Sequence, residues 1–270
     1  WSQGMSKFIS RWHTRIYRHF PDLFRQGYAY VERHPSLLRE QSEVYRFLAS
    51  GAGRLYPFLR EGAYDTVICV HVFAAFMVEV LLREHPGAWR TAFLATDYTC
   101  SPNGSAHTLD WYFIPDQSLA EEFVRSGIAP EKLVPAGIPV RMGFQSRGDA
   151  AAAREILGIP ADSRHLMAMC GSMGCGPLGR IVGRLSERLP ERSVVTVICG
   201  TNTRLRQTLE RRFRSDGRIR VLGYVNQIPL MMDSADLYLT KPGGISVTEA
   251  AAKDLPMAFI DAVAGCEAYN

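Results

Sequence analysis

Short apolar runs recur along this chain, and each is followed by a segment with helical spacing. The runs lack the polar alternation of a half-exposed strand, which is typical of parallel sheets covered on both faces. The predicted strands are residues 66–70, 91–95, 111–114, 165–170, 194–199, 219–222, 237–240 and 257–260. Helical patterns include residues 118–126, 178–189, 204–214 and 246–253. The alternation predicts an α/β protein of the doubly wound class.

A break near the middle of the chain indicates two domains. The sequence has 270 residues, which is long enough for two modest cores. Glycine and proline concentrate in residues 135–139, Gly143 follows, and residues 146–149 are polar. We therefore predict a first domain over residues 1–141 and a second over 142–270. Two doubly wound domains that face each other would form a cleft.

Composition excludes several classes of function. Lys and Arg total 31 against 27 Asp and Glu, a net charge of +4 that is too mild to indicate nucleic acid as a partner. No run of about 18 apolar residues could span a bilayer. The cysteines form no CxxC pair, and Cys69, Cys170 and Cys199 stand in apolar runs. These features predict a cytoplasmic protein with reduced structural thiols, whose membrane contact is peripheral.

The strongest local motif is the run Thr-Lys-Pro-Gly-Gly-Ile-Ser-Val-Thr-Glu at residues 240–249, between a predicted strand and a predicted helix. Two glycines allow a ligand to approach the backbone closely, and Ser246 or Thr248 could cap the helix. The N–H groups at a helix start attract phosphate. The alternative is an ordinary strand-to-helix turn with a serine cap, because isolated glycine motifs also occur by chance.

A second glycine-rich turn, Gly-Ser-Met-Gly-Cys-Gly-Pro at residues 171–177, follows the strand that ends at Cys170. Two such turns in one domain favour a diphosphate held between them. Glu249, one turn into its helix, is placed to accept hydrogen bonds from a ribose. Its alternative role is to stabilise the helix N-terminus through the dipole.

The run at residues 232–256, Met-Asp-Ser-Ala-Asp-Leu-Tyr-Leu-Thr-Lys-Pro-Gly-Gly-Ile-Ser-Val-Thr-Glu-Ala-Ala-Ala-Lys-Asp-Leu-Pro, makes the reading more specific. It resembles the donor-site signature of the monogalactosyldiacylglycerol synthase and processive diacylglycerol glucosyltransferase family. Peptidoglycan N-acetylglucosaminyltransferases are more distant relatives. Supporting matches lie at residues 96–102, 137–140, 171–174, 199–202 and 223–225, so that the resemblance covers nearly the whole chain.

The resemblance implies a GT-B fold, with an acceptor domain first and a UDP-sugar domain second. It also implies an inverting transfer that uses neither a cofactor nor a metal. The implied ligand-binding residues are Gly171, Ser172, Met173, Gly174, Asn202, Tyr224, Val225, Lys241, Gly243, Gly244, Ser246, Thr248, Glu249, Cys266, Glu267 and Asn270.

By analogy, the turns would hold the diphosphate, Glu249 the ribose, and the backbone of residues 223–225 the uracil. Lys241 would stabilise the leaving UDP. Cys266 departs from the Gln and Asn with which relatives hold the transferred sugar, so that the sugar stays open. Relatives place the catalytic base in an N-terminal glycine-rich loop that has no match here. We therefore expect the chain to begin after the first βα unit and to be cut at both ends.

Two polar residues follow predicted strands of the first domain. His71 comes after residues 66–70 and Asp97 after residues 91–95, where parallel sheets collect active-site groups. We predict that both orient an acceptor and count them as catalytic candidates. The alternatives are a half-buried histidine with its hydrogen bonds satisfied and a turn or capping aspartate.

The N-terminal segment has the pattern of a basic amphipathic helix. Such a helix lies well on an anionic bilayer, although a helix packed on its own domain is the more common outcome. Its apolar residues are Met5, Phe8, Ile9, Trp12, Ile16 and Phe20, and its basic stripe is Lys7, Arg11, Arg15 and Arg18.

The leading hypothesis is transfer of a hexose from a UDP-sugar to diacylglycerol or a glycosylated diacylglycerol at the cytoplasmic membrane surface. Transfer to a polyprenyl-linked lipid is a close alternative. A UDP-sugar epimerase would share the architecture but would need no membrane. A nucleotide-sugar-binding membrane module without activity is the alternative from a different class.

Overall fold

The computed structural model describes residues 21–100, 108–174, 176–262 and 266–270. These residues form two compact units, one made of residues 21–139 with 266–270 and the other of residues 140–262. The division lies two residues before the predicted boundary at 141. The last residues of the chain, which the sequence assigns to the second domain, group with the first unit. The reason is a pair of hydrogen bonds from the Asn270 side chain to residues 97 and 98.

The first unit is built on a four-stranded parallel sheet in the order β1-β2-β3-β4. Its strands are β1 (Thr66–Cys69), β2 (Arg90–Leu94), β3 (Trp111–Ile114) and β4 (Leu133–Pro135). Its helices are α1 (Pro21–Arg33), α2 (Glu43–Ala49), α3 (Ala52–Glu61), α4 (Val72–Glu84) and α5 (Ala120–Arg125), and 3-10 turns lie at Pro35–Leu38, Gln117–Leu119 and Pro130–Lys132. Strands β1 to β3 agree with the predictions within one residue at each end.

Strand β4 is absent from the predictions because it is only three residues long and ends in proline. Pro135 lacks the N–H that a central strand would need, and it occurs here in an edge strand that pairs with β3. The glycine and proline run that was predicted as the domain break, residues 135–139, begins at the last residue of β4. Its first residue therefore belongs to the sheet.

A buried carboxylate ties the helical layer of the first unit together. Glu79 on α4 accepts a hydrogen bond from the Tyr45 hydroxyl of α2 at 2.9 Å and another from Thr108 at 3.2 Å. Arg83 lies 3.6 Å from the same carboxylate. Burial, with the nearby negative charge of Glu79, raises the pKa of Tyr45 well above its ordinary value. The phenol therefore remains a hydrogen-bond donor at any physiological pH.

The second unit contains a five-stranded parallel sheet in the order β7-β6-β5-β8-β9. Its strands are β5 (Arg164–Met169), β6 (Ser193–Ile198), β7 (Ile219–Leu222), β8 (Leu237–Thr240) and β9 (Met257–Phe259). Its helices are α6 (Ala150–Leu157), α7 (Leu178–Ser186), α8 (Thr203–Arg212), α9 (Ile228–Ser234) and α10 (Gly244–Ala252), and a 3-10 turn lies at Met142–Phe144. All five strands were predicted within one residue at each end, which confirms the doubly wound class.

The helices of the second unit divide between the two faces of this sheet. Ala168 of β5 packs in one apolar cluster with residues of α7 and α8. Its neighbour Met167 packs in another cluster with residues of α9 and α10. Because successive residues of a strand point to opposite faces, α7 and α8 cover one face and α9 and α10 the other.

The strand order places a topological switch point between β5 and β8. From β5 the chain proceeds to β6 and β7 on one side, and it then returns to add β8 and β9 on the other. Doubly wound sheets bind their ligands at the carboxyl ends of the strands at such a point. The loops that leave β5 and β8 are the two glycine-rich turns singled out in the sequence.

A buried histidine lies in the core of the second unit. The ring of His165 on β5 is hydrogen-bonded to Thr196 at 2.8 Å and to Ser234 at 3.0 Å. Burial lowers the pKa of His165 below its ordinary value of 6.5. Its ring therefore stays neutral in the folded unit at neutral pH.

The described part of the chain contains no helix with both the length and the apolar composition to cross a bilayer. The amphipathic segment predicted from Met5 to Phe20 lies outside the described residues.

Candidate functional site

The turn after β5 is shaped by glycines in the left-handed region. Gly171 has φ +65°, Gly174 +57° and Gly176 +100°, conformations that side chains rarely adopt. A Cβ at Gly174 would lie 2.1 Å from the carbonyl oxygen of Cys199. A Cβ at Gly200 would lie 2.0 Å from the carbonyl oxygen of Ser172. The turns after β5 and β6 therefore pack backbone against backbone, and Gly174 and Gly200 permit that contact.

Asn202 holds the same two turns together. Its side-chain amide donates to the carbonyl oxygen of Gly174 at 2.9 Å, and its oxygen accepts from the N–H of Leu205 at 3.0 Å, which caps α8. The N–H of Thr201 donates to the carbonyl of Ser172 at 2.9 Å. The amide of Asn202 is thus engaged within the protein. We expect Asn202 to act on a ligand indirectly, by fixing the shape of the turn that carries Ser172 and Met173.

The turn after β8 leads through Lys241, Pro242 and Gly243 into α10. Gly243 is the N-cap residue, with φ −80° and ψ 133°. The prediction that Ser246 or Thr248 caps this helix is wrong, because both residues lie inside it. The Thr248 hydroxyl donates instead to the carbonyl of Gly244, one turn back, at 2.7 Å. No side chain of the described residues caps the start of α10, and its first N–H groups are available to an anion.

The two glycine-rich turns lie next to each other. Strands β5 and β8 are hydrogen-bonded neighbours, with Met169 opposite Thr240 at their carboxyl ends. The side chain of Lys241 is buried, and a Cβ at Gly176 would lie 3.6 Å from its Cδ. The same Cβ would lie 3.3 Å from a carboxylate oxygen of Asp261, a residue that the sequence analysis missed. Lys241, Asp261 and the start of α10 thus lie close to the backbone of the two glycine-rich turns.

Glu249 lies half-buried in the second turn of α10. Burial raises its pKa above the ordinary value of 4.5, and the positive charge of Arg141 opposes that rise. The guanidinium of Arg141 also lies over the ring of Phe144, 5.2 Å from its centroid. Arg141 was absent from the predicted site, and only its position directly after the glycine and proline run could have indicated it. A partly desolvated carboxylate of this kind is a strong hydrogen-bond acceptor for hydroxyl groups.

A buried tyrosine lies close to the first two turns of α10. Tyr238 of β8 is fully buried, and its hydroxyl lies among Thr240, Ser246 and Glu249. None of the described residues forms a hydrogen bond of ordinary geometry with this hydroxyl. Burial raises the pKa of Tyr238, so that the phenol stays protonated. Nothing in the sequence pattern distinguishes it from a core aromatic residue.

The turn after β7 reaches the same edge of the sheet. Tyr224 is 66% exposed, whereas Val225 packs against the core cluster shared with α9 and α10. A Cβ at Gly223 would lie 3.0 Å from the guanidinium of Arg206. The predicted uracil-contacting segment therefore lies at the carboxyl ends of the strands, on the same edge as the two glycine-rich turns.

In the first unit, His71 and Asp97 follow neighbouring strands, as predicted. His71 is the exposed N-cap of α4, where its Nδ1 accepts a hydrogen bond from the N–H of Phe73 at 3.2 Å. An Nδ1 that accepts leaves the proton of a neutral ring on Nε2. In a neutral ring of this orientation His71 carries its proton on Nε2, and its catalytic role stays a prediction.

The structure joins Asp97 to the end of the chain. The Asn270 amide donates to the Asp97 carboxylate at 2.9 Å and accepts from the N–H of Tyr98 at 2.7 Å. Asn270 follows the 3-10 turn Cys266–Ala268, which contains the other predicted sugar-contacting residues, Cys266 and Glu267. One predicted acceptor residue and one predicted sugar-contacting residue thus meet in the first unit.

Glu122, like Asp261 and Arg141, is a residue that sequence reasoning missed. Its carboxylate on α5 accepts from the Thr99 hydroxyl at 2.5 Å and from the N–H of Cys100 at 2.8 Å. These bonds hold the loop that follows Asp97. Its position in the first turn of a predicted helix was the only available signal.

Comparison with known proteins decides the family. Residues 2–140 match the family described as monogalactosyldiacylglycerol (MGDG) synthase, and residues 165–263 match the glycosyltransferase family 28 C-terminal domain. The chain belongs to the monogalactosyldiacylglycerol synthase family. Both glycine-rich turns, Lys241 and Glu249 fall within the family 28 region. His71, Asp97 and Glu122 fall within the synthase region.

Members of this family with curated names resemble the chain throughout. It is 26% identical over 267 residues to a processive diacylglycerol beta-glucosyltransferase of Staphylococcus saprophyticus, covering 98% of this chain and 66% of the relative. The protein of the same name from Staphylococcus carnosus is 29% identical over 221 residues, covering 82% of this chain and 56% of that relative. The chain thus spans 66% and 56% of the length of these two relatives, less than two thirds of each.

The fold is shared with solved structures at lower identity. Anabaena HepE in complex with UDP superposes with a TM-score of 0.54 at 16% identity, covering 80% of this chain and 64% of that one. Such a likeness establishes the architecture, which is the GT-B type with two parallel-sheet units.

Proposed function

We propose that the protein transfers a hexose from a UDP-sugar to diacylglycerol or a glycosylated diacylglycerol, with inversion at the sugar carbon. The observation that carries the proposal is the pairing of two glycine-rich turns at the switch point of the second unit, where Lys241 lies beside Gly176. The names of the curated relatives support the same reaction. The chain spans 66% of the length of the first of these relatives. The proposed activity is therefore that of the whole protein and not of this chain alone.

The second unit has the chemistry for a nucleoside diphosphate. The N–H groups at the start of α10, with no side-chain cap among the described residues, would bind the phosphates. The Lys241 ammonium would add positive charge next to the bond that breaks. Glu249 would accept hydrogen bonds from the ribose, and the turn at residues 223–225 would contact the base. These groups stabilise the charge that develops on the leaving UDP, so that the proposed transfer requires no metal.

The first unit would position the acceptor hydroxyl. Asp97 is a carboxylate at the carboxyl edge of its sheet, and hydrogen bonds to Asn270 and the Glu122-held loop fix its surroundings. A carboxylate in this position can take the proton of an attacking hydroxyl. His71, whose Nδ1 already accepts from the N–H of Phe73, would orient that hydroxyl. Attack from the face opposite the leaving group inverts the sugar carbon.

The acceptor determines where the protein works. Diacylglycerol resides in a bilayer, and a UDP-sugar is dissolved in the cytoplasm. We therefore place the protein at the cytoplasmic face of the membrane as a peripheral protein. An anionic membrane surface is the partner that this placement requires.

The proposal is tested with the purified full-length protein, labelled UDP-glucose or UDP-galactose, and vesicles that contain diacylglycerol. The expected result is a labelled glycolipid that requires both donor and diacylglycerol and is reduced at least tenfold by Asp97→Asn. Asp110→Asn is the matched control, because among the described residues the Asp110 carboxylate is hydrogen-bonded to Thr91 alone, near the opposite ends of the strands. Release of free sugar alone, or donor binding without product, would contradict the proposed transfer.

A further inference from the structure

The two helices on one face of the second sheet carry an unusual density of exposed arginine. Along α7 and its continuation, Arg180, Arg184 and Arg188 recur every fourth residue and so share one side of the helix. On α8 and beyond, Arg204, Arg211 and Arg214 recur at intervals of seven and three. We refer to these six exposed side chains as the arginine face.

The helices that carry this face are in direct contact. A Cβ at Gly183 of α7 would lie 2.4 Å from the guanidinium of Arg212 on α8, and one at Gly179 would lie 3.4 Å from Leu205. The small residues of α7 thus let α8 approach closely. The two rows of arginine therefore belong to one continuous layer.

The arginine face is poorly neutralised. None of its six side chains takes part in an ion pair with a described residue. Of the acidic residues nearby, Glu210 is already paired with Arg206 at 2.7 Å. Glu187 and Glu191 are the other acidic side chains in the range 178–214, which the structure describes completely.

The opposite face of the same sheet lacks this charge. Helices α6, α9 and α10 together contain one arginine, Arg154, and its guanidinium is paired with Asp236 at 2.8 Å. Their acidic residues are Glu155, Asp233 and Glu249. The two faces thus differ in the number of exposed arginines on their helices, a difference that the modest net charge of +4 for the whole chain does not reveal.

We propose that the arginine face docks the second unit on the surface of an anionic bilayer. Clusters of four to eight basic residues on helices are the usual recognition elements for anionic lipid headgroups. Arginine forms bidentate hydrogen bonds with phosphate, the group that such headgroups share. This surface is distinct from the N-terminal segment of the sequence analysis, which lies outside the described residues.

The features of the face favour a bilayer over a nucleic acid. Single-stranded nucleic acids require aromatic side chains for stacking, and duplex readout requires an element that enters a groove. Residues 178–214 expose no large apolar or aromatic side chain, and Phe213 is buried. The two helices form a broad layer whose charges can meet many headgroups at once. The choice of a bilayer rests partly on the proposed function, which requires a lipid acceptor.

The absence of exposed apolar groups on this fully described face also sets the mode of binding. Without side chains to insert among acyl chains, attraction is electrostatic and is screened within about 10 Å at ordinary salt concentration. Binding through the face should therefore be reversed by high salt and should require anionic lipid.

The test is co-sedimentation of the full chain with vesicles of phosphatidylcholine alone or with about one third phosphatidylglycerol. Neither UDP-sugar nor diacylglycerol is present, so that failure here is distinguishable from failure of the proposed transfer. The variant is Arg184→Glu with Arg211→Glu. The matched control is Arg39→Glu with Arg60→Glu, two exposed arginines of the first unit that produce the same change of net charge.

We expect the wild type to bind only the anionic vesicles, and the variant of the arginine face to bind roughly tenfold or more weakly. The control variant should lose much less affinity for the anionic vesicles. Thermal unfolding should confirm that both variants are folded. An equal loss in both variants, equal binding to neutral vesicles, or preferential binding to an oligonucleotide in competition would overturn the proposal.

Discussion

The side-chain amide of Asn202 donates a hydrogen bond to the carbonyl oxygen of Gly174 at 2.9 Å, and this bond joins the turns that follow two neighbouring strands. The oxygen of the same side chain caps α8. One residue thus sets both the shape of a turn proposed to face the diphosphate and the start of the adjacent helix.

Replacing Asn202 with Ala should remove both hydrogen bonds. Loss of an N-cap and of one further bond typically costs about 1–3 kcal/mol of stability. We expect a lower thermal midpoint and weaker UDP binding. Asn202→Asp is the matched control, since it keeps the cap but cannot donate to Gly174. If the Gly174 bond matters, both replacements should weaken UDP binding; wild-type UDP affinity in Asn202→Asp would contradict a role for that bond.

Replacing Gly243 with Val should separate binding from stability. Gly243 has φ −80° and ψ 133°, which any residue can adopt, and no neighbouring atom lies within 4 Å of a Cβ placed there. The fold therefore does not require glycine, but a ligand that approaches the start of α10 would. We expect an unchanged thermal midpoint and UDP binding weakened by about tenfold or more. Calorimetric titration measures the affinity.

The contrasting replacement is Gly174→Ala. Its φ of +57° and a Cβ contact of 2.1 Å with the carbonyl oxygen of Cys199 leave no room for a methyl group. We expect this variant to be destabilised by more than about 2 kcal/mol.

An unchanged UDP affinity in Gly243→Val would contradict the proposal that the phosphates bind at the start of α10.

The binding of a UDP-sugar should depend on the protonation of Glu249. Burial raises the pKa of this carboxyl, and its charged form is the stronger acceptor for the two ribose hydroxyls. As pH falls through the raised pKa, affinity should fall, and above it affinity should be constant. A UDP-sugar is the suitable probe because, unlike UDP, it has no terminal phosphate that titrates nearby. Glu249→Gln should bind more weakly at neutral pH and lose this dependence; a persistent slope in that variant would argue against Glu249.

Replacing Lys253 with Met should destabilise the second unit. The Lys253 ammonium lies 2.8 and 3.0 Å from the two carboxylate oxygens of Asp233, and both side chains are buried. Removing one partner leaves an uncompensated buried charge, which typically costs about 3–5 kcal/mol. Urea denaturation should show an earlier transition.

The double variant Asp233→Leu with Lys253→Met is the control for this pair. It removes both charges and should recover part of the loss, although the N–H of Gly148 also loses its acceptor on Asp233. If the double variant were no more stable than Lys253→Met, the effect would not arise from the unpaired carboxylate.

The sequence predicted the strands because a buried parallel strand requires an uninterrupted apolar run, and such runs are visible without coordinates. Strands β5 to β9 agreed within one residue at each end. Strand β4 was missed because three residues that end in Pro135 carry no such signal. Short-range chemistry also sufficed to predict the two glycine-rich turns at Gly171 and Gly243, which follow β5 and β8.

The features that the sequence analysis missed depend on contacts between residues far apart in the chain. Which residue caps α10 depends on where the backbone leaves β8, and this geometry makes Gly243 the cap in place of Ser246 or Thr248. Asp261 and Arg141 reach the site only through the fold. Asn270 joins Asp97 across most of the sequence, so that no local pattern could assign the end of the chain to the first unit.

The central claim is that the second unit binds a uridine diphosphate sugar at its paired glycine-rich turns. Calorimetric titration of the purified chain with UDP, with ADP as the comparison nucleotide, tests it most directly. The account predicts saturable binding of UDP with one site per chain and little binding of ADP, and loss of the UDP signal in Gly243→Val. A chain that is folded by circular dichroism yet binds neither nucleotide, or binds both equally, would contradict it.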